Sequence, residues 1–540
     1  MRLARWWIVV STVVLGCRAE VSSPELRRPI ESMPAGACVL LVASDLANTW
    51  ERAEAHDVLS ILRRALPEEL MAPPELLALQ SRLADFEART QTSLRQDLWL
   101  NLVKQRIAVG VYPGDDDADS EMLFVAELDD AERFGTAFEA LMQEPAGDWQ
   151  CEKTTLDGQS AWRVRDGQRM DVLVLQDGAF LAVSTVDDLV RGALAIQHGG
   201  SQASALREAA CMEALDALGR HNVGIVSLGE TGTWTAQGMT WDREGVHFKR
   251  IVPLPEAAET AADVTPSARA DILRSIPAGM TLAYEAHAAD MSLVRVLLDE
   301  RNCFDLRSSQ THAAPDIRAA AAPLGLGRLP FDLGPSFERW AGDEMAVVLA
   351  ELVPTALAPL PSVALLVEVR DYEEVVGALQ QLERNLGVLP LLGSAEFVDV
   401  VYGGKTYRSL SQPVLEALAP SYLLDGDLVF LASTRELMQQ IIDTRRAGRR
   451  TLLRDATFRP FGDFVPDEAS LVVYADQTKL HHALMQVAAM PRLWGEDVAR
   501  IVDTLEELTV VFEHFPASAT YVERTPTRLL MSGWMREAAE

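Results

Sequence analysis

The chain has 540 residues, 48% of them hydrophobic, with 49 basic against 79 acidic side chains and a formal net charge of −30 at pH 7. That surplus repels phosphate backbones and anionic headgroups, which demand clustered positive charge, so nucleic acid is excluded as a partner. The length and apolar content call for globular folding around at least two cores, at roughly 100 to 200 residues per domain.

The first sixteen residues have the grammar of an export signal. Arg2 and Arg5 precede a short apolar stretch, Trp6 to Leu15, too brief to cross a bilayer as a helix, which needs about 20 residues. Val14-Leu15-Gly16-Cys17 then resembles the lipobox cut by the bacterial lipoprotein signal peptidase. The resemblance implies a signal peptide over 1–16, lipidation of Cys17 as the new first residue, and a polar tether over 17–32. Leu15 stands where a small residue is more usual, and a plain signal peptide or an uncleaved anchor is the alternative. Arg18, not the Asp of inner-membrane retention, follows the cysteine. This favours the outer membrane if the cell has two.

Beyond the tether the chain repeats itself, with matching blocks in matching order. Met33-Pro34-Ala35-Gly36 leads into the apolar run Ala37 to Val42, and Ile276-Pro277-Ala278-Gly279 leads into Met280 to Tyr284. Arg106 to Val111 answers Glu344 to Leu349. Phe124 to Asp130 answers Leu365 to Asp371. Phe134, Ala137, Phe138 and Leu141 then show the helical spacing of Val375, Ala378, Leu379 and Leu382. Asp157-Gly158 and Gly403-Gly404 predict tight turns, as do Asp177-Gly178 and Asp425-Gly426. The pairs Ser184-Thr185 and Ser433-Thr434 read as helix caps, their hydroxyls accepting from free amides of the first turn. Leu206-Arg207-Glu208-Ala209 matches Leu453-Arg454-Asp455-Ala456, before strands at Val223 to Val226 and Leu471 to Tyr474.

The expected fold class is therefore α+β: two duplicated lobes, each a mainly antiparallel sheet with helices on one face. Lobe 1 spans 33–252, a linker rich in Pro, Ala, Glu and Thr covers 253–271, and lobe 2 spans 272–540. Lobe 2 adds an Ala/Pro-rich insert, His312 to Pro330, and helices at Thr478 to Met490 and Val498 to Leu508. Its closing strands are expected at Thr509 to Phe512 and Leu529 to Met531. This block order resembles a family of exported bacterial proteins of unknown function. The resemblance implies a duplicated extracytoplasmic module and transfers no catalytic residue.

Several stretches invite chemistry. Asp115, Asp117 and Asp119 alternate like the ligands of a calcium loop, which gathers oxygens about 2.4 Å from the cation. Ser120 stands where that loop wants Gly and Ala126 where it wants Glu, and a solvated acidic hairpin tip is the alternative. The equivalent segment of lobe 2, Val353 to Pro361, is uncharged. Its three prolines argue against a spanning helix across Ala346 to Val369. We expect a hairpin with an apolar tip, in which Val353, Leu357 and Leu360 touch a partner or pack on the protein itself. Trp234 and Trp241 flank a further hairpin, where packing on the sheet is the default.

Cysteines fall at 17, 38, 151, 211 and 303, too irregularly for a zinc or redox pattern, and no pairing is drawn. His481 and His482 are adjacent on a helix and point apart. No HExxH, GxSxG, P-loop, SxxK or Rossmann fingerprint occurs, and no cofactor is called for. The leading functional expectation is a non-enzymatic, lipid-anchored envelope protein that binds a protein partner or serves a structural role. The alternatives are a carrier of an apolar ligand held among Phe124, Phe134 and Phe180, and an extracytoplasmic hydrolase without a recognisable motif.

Overall fold

The computed structural model describes residues 30–44, 102, 106–114, 120–143, 150–165, 171–200, 203–219, 221–229, 232–254, 272–287, 340–353, 360–387, 396–411, 418–448, 450–466, 469–488, 509–525 and 527–538. Cys17 and the rest of the expected tether up to residue 29, the insert and the 498–508 segment lie outside these residues, while Ile30 and Ser32 at the tether's end are buried and belong to the fold. The chain divides into two compact units, Met1–Pro253 and Leu254–Glu540.

The first unit runs β1 (Val39–Ser44), β2 (Arg106–Pro113), β3 (Ser120–Glu127), α1 (Ala131–Gln143), β4 (Gln150–Leu156), β5 (Gln159–Arg165), β6 (Asp171–Asp177) and β7 (Phe180–Ser184). It continues with α2 (Asp187–Gln197), α3 (Ala209–Leu218), β8 (Val223–Leu228), β9 (Trp234–Asp242) and β10 (Gly245–Pro253). Every pairing is antiparallel, in the order β4-β5-β6-β7-β3-β2-β1-β8-β9-β10. Central β1 is buried along its whole length, which is why Val39 to Ala43 reads as a continuous apolar run and not as an alternation. Phe134, Ala137 and Met142 turn the buried side of α1 onto the core, where Phe134 stacks on Phe138 at 5.7 Å.

The second unit begins with α4 (Ile272–Ser275), β11 (Leu282–His287), β12 (Ala341–Val353), β13 (Leu360–Val369), α5 (Tyr372–Gly387), β14 (Phe397–Tyr402), β15 (Lys405–Leu410) and β16 (Ser421–Asp425). It continues with β17 (Leu428–Ala432), α6 (Arg435–Ala447), β18 (Leu471–Asp476), α7 (Gln477–Ala488), α8 (Thr509–His514), β19 (Ala517–Arg524) and β20 (Arg528–Arg536). Its antiparallel order is β14-β15-β16-β17-β13-β12-β11-β18-β19-β20. Phe458, Phe461 and Tyr474 meet edge to face in its core, with ring centroids 5.2 and 6.2 Å from Tyr474.

Both units tie the segment before their first strand in the same way. Ala35 donates to Ala203 O at 2.9 Å and Ala278 to Arg450 O at 2.8 Å; Ala205 donates to Met33 O and Leu452 to Ile276 O, each at 2.8 Å. The Gly36 amide donates to Glu208 Oε1 and the Gly279 amide to Asp455 Oδ2, both at 2.7 Å. These glycines have φ of 94° and 81°, conformations that a Cβ would strain. The turn glycines Gly158, Gly178, Gly403, Gly404 and Gly426 all have positive φ as the hairpin reading requires, and Asp157 does as well, at 50°.

Two local expectations are corrected. Thr509 to Phe512 is helical, within α8, because β19 takes the place beside β18, and Phe512 lies against His481 at 5.1 Å. In the first unit the hydroxyl pair does not cap a helix. Val186 is the N-cap residue of α2, while Ser184 accepts from the Val186 amide at 3.0 Å and donates to Met122 O at 2.6 Å. Trp234 and Trp241 are buried, as packing on the sheet requires. Within Ala346 to Val369, β12 and β13 pair antiparallel, and among the described residues no helix is long and apolar enough to cross a membrane.

Candidate binding cleft

The acidic residues Asp115, Asp117 and Asp119 lie outside the described residues. The strands that flank them, β2 and β3, pair as a hairpin up to Pro113 and Ser120. Of the apolar hairpin residues, Leu357 is likewise outside. Val353 and Leu360 form the last described pair of β12 and β13, and both are half-buried.

Beside that pair lies a cleft of about 270 Å³, lined by Glu351 and Val353 of β12, Ser362 of β13, and Thr434, Arg435 and Glu436 at the start of α6, among others. The hydroxyls of Ser362 and Thr434 on its lining, and of Ser433 beside them, are already engaged with one another or with backbone. Ser362 Oγ and Thr434 Oγ1 lie 3.1 Å apart, and Thr434 Oγ1 also accepts from the Leu437 amide at 3.2 Å as the α6 cap. Ser433 Oγ accepts from the Val363 amide at 2.9 Å. The sequence builds this locally: Thr is a preferred N-cap because its oxygen satisfies a first-turn amide that has no intrahelical partner.

Arg435 is fixed at the edge of the cleft. It donates Nε to Ser409 Oγ at 2.9 Å and Nη2 to the carbonyls of Leu410 and Ser411. Ser409 is held in turn by Ser421 Oγ at 2.9 Å. The guanidinium therefore holds the end of β15. Glu351 and Glu436 are exposed at the rim, so the entrance is acidic and the half-buried wall at Val353 apolar. No histidine is among the lining residues. What the arrangement offers is a shallow seat for an apolar side chain next to a cationic one, with hydroxyl and carbonyl groups for hydrogen bonding.

Elsewhere, the rings named for an apolar ligand fill space themselves. Phe134 and Phe180 are buried, and Phe124 and Phe138 pack with Phe134 in the core under α1. His482 Nε2 lies 2.9 Å from Gln486 Nε2, and His481 faces Phe512. Glu285 and Glu344, each 2% exposed, are buried carboxylates that pattern reading passed over; β11 and β12 look like plain apolar strands around them. Among the described residues, Asp242, Glu244 and His247 bring three metal-ligating atoms within 4.8 Å of one another. The signal was present in the sequence as the Asp-x-Glu-x-x-His spacing across the β9–β10 turn.

No family model, no curated protein and no solved structure matches this chain.

Proposed function

We propose that this is a lipid-anchored, extracytoplasmic protein of the cell envelope, made from two copies of one sheet-and-helix unit, that binds a protein partner and is not an enzyme. The anchor rests on the lipobox-like Val14 to Cys17; Arg18 favours the outer membrane where there are two. Support for the copying is the identical strand order of the two units and the repeated tie from a positive-φ glycine amide to a carboxylate, Gly36 to Glu208 and Gly279 to Asp455. Independent origins have no reason to reproduce both.

The observation that carries the binding reading is the cleft of the second unit, which joins an apolar wall at Val353 to an acidic rim at Glu351 and Glu436. Its partner is an extended protein segment with an apolar side chain beside a basic one. Such a contact is modest in area and suits a transient association. Two experiments test the proposal. Cys17→Ala should move the protein from the membrane fraction to the soluble one, and unchanged membrane association would remove the anchor. In-cell crosslinking should capture a reproducible neighbour with wild type that is lost with Val353→Asp or Glu436→Lys; a neighbour retained by both variants would remove the cleft as its seat.

A further inference from the structure

One group of side chains in the first unit takes no part in the binding reading. On β9 and β10 the register pairs Gly238 with Lys249, Thr240 with His247 and Asp242 with Gly245, which puts Lys249, His247 and Asp242 in a row on one face of the sheet. Helix α3 ends over that face: a Cβ on Gly238 would meet Leu218 Cδ2 at 2.7 Å, and Lys249 Nζ donates to the Ala217 carbonyl at 2.8 Å. Lys249 is thus engaged with the helix end, and the row continues past it to His247 and Asp242, both only partly exposed.

The turn sets the donors. The Glu244 amide donates to Asp242 Oδ1 at 2.7 Å, and Asp242 Oδ2 lies 3.6 Å from His247 Nε2. With metal–ligand bonds of about 2.0–2.1 Å, a tetrahedral zinc ion holds neighbouring ligand atoms about 3.4 Å apart. The observed separation differs from that by a few tenths of an ångström, and the Glu244 carboxylate, at the exposed turn, lies within 4.8 Å of the other two donors.

His221 lies farther along the same face. Its ring stands over Gly238, with Cδ2 2.4 Å from an added Cβ. The side chain is 9% exposed and its Nδ1 is buried with no hydrogen-bond partner among the described residues. The imidazole is hydrogen-bonded to the Leu218 backbone and supplies none of the three donor atoms at the turn.

We propose that Asp242, Glu244 and His247 form a site for one divalent cation of the zinc class at the β9–β10 turn, with water completing its shell. One imidazole and two carboxylates match zinc better than calcium, which takes six to eight oxygen ligands. The ion fastens the ends of β9 and β10 together across their two-residue turn.

The experiment is equilibrium dialysis of the full-length chain, stripped with chelator, against Zn2+ alone and against Ca2+ alone, with bound metal counted per chain. One zinc per chain is expected, and His247→Gln and Asp242→Asn should each weaken it by more than about tenfold. Glu244→Gln, an exposed turn substitution that leaves the strands untouched, should weaken it too, and His481→Gln/His482→Gln should not. The proposal is overturned if no zinc is retained, if the three variants bind as wild type does, or if calcium is held as tightly as zinc and independently of His247.

Discussion

The Asp455 carboxylate accepts amide hydrogen bonds from Gly279 and from Thr457, each at 2.7 Å, and so pins the segment that leads into β11. Burial by itself would raise its pKa, but the Thr457 and Gly279 donors, with Lys479 nearby, hold it below the usual carboxylate range. A carboxyl depressed in the folded state contributes stability above its unfolded pKa of about 3.9 and loses it as pH falls through the folded value. Asp455→Asn should therefore cost about 1 kcal/mol at pH 7. By pH 3 the gap to wild type should have narrowed, as read from urea midpoints at the two pH values; an equal gap at both would mean that charge plays no part. Another half-buried group tests the same logic without glycine. Glu383 of α5 accepts from Arg408 at 2.8 and 3.0 Å and from Tyr422 at 2.6 Å, so Glu383→Ala should destabilise by about 2 kcal/mol. Asp399, bound to the same guanidinium at 3.2 Å but largely exposed, should cost less than about 0.5 kcal/mol when replaced by Ala.

At the scale of elements, the two short helices after the last inner hairpin show how one pattern yields two outcomes. Thr434 is 2% exposed and caps α6, whereas Thr185 is exposed and Val186 precedes α2. In thermal unfolding, Thr434→Ala should cost about 1–2 kcal/mol and Thr185→Ala should stay within about 0.5 kcal/mol. One additional residue before the helix accounts for the difference. Strands and turns were legible in the sequence because period-2 and continuous apolar runs, with Asp-Gly and Gly-Gly between them, have few other readings. Thr509 to Phe512 was not: β-branched residues fit a strand or the apolar side of a short helix, and only the presence of β19 decides. The cleft was legible at Val353 alone. Its other walls come from residues such as Ser362 and Thr434, 72 positions apart, and no local pattern announces that they meet. Asp242 and His247 were hidden for the opposite reason, since Trp234 and Trp241, both on β9, drew the reading toward packing.

For the whole molecule, a net charge of −30 means that folding confines many like charges. Screening reaches about 8 Å at physiological ionic strength, so the midpoint of thermal unfolding should rise as sodium chloride is added from low salt to about 0.15 M; a flat response would show that local pairs such as Arg163 with Asp171 and Asp187 already balance the field. Charge also bears on how molecules meet at the rim of the second unit. There β14 pairs, among the described residues, only with β15, and it presents Val401 at 75% and Val398 at 38% exposure. A terminal strand with apolar outward residues is a template onto which a foreign strand can be laid, the first step toward fibrous clumping. Were the chain anchored as proposed, neighbours on one leaflet would meet far more often than in dilute solution, and mutual repulsion between anionic copies would keep such templates apart; a lysine in place of Val401 would make that insulation local.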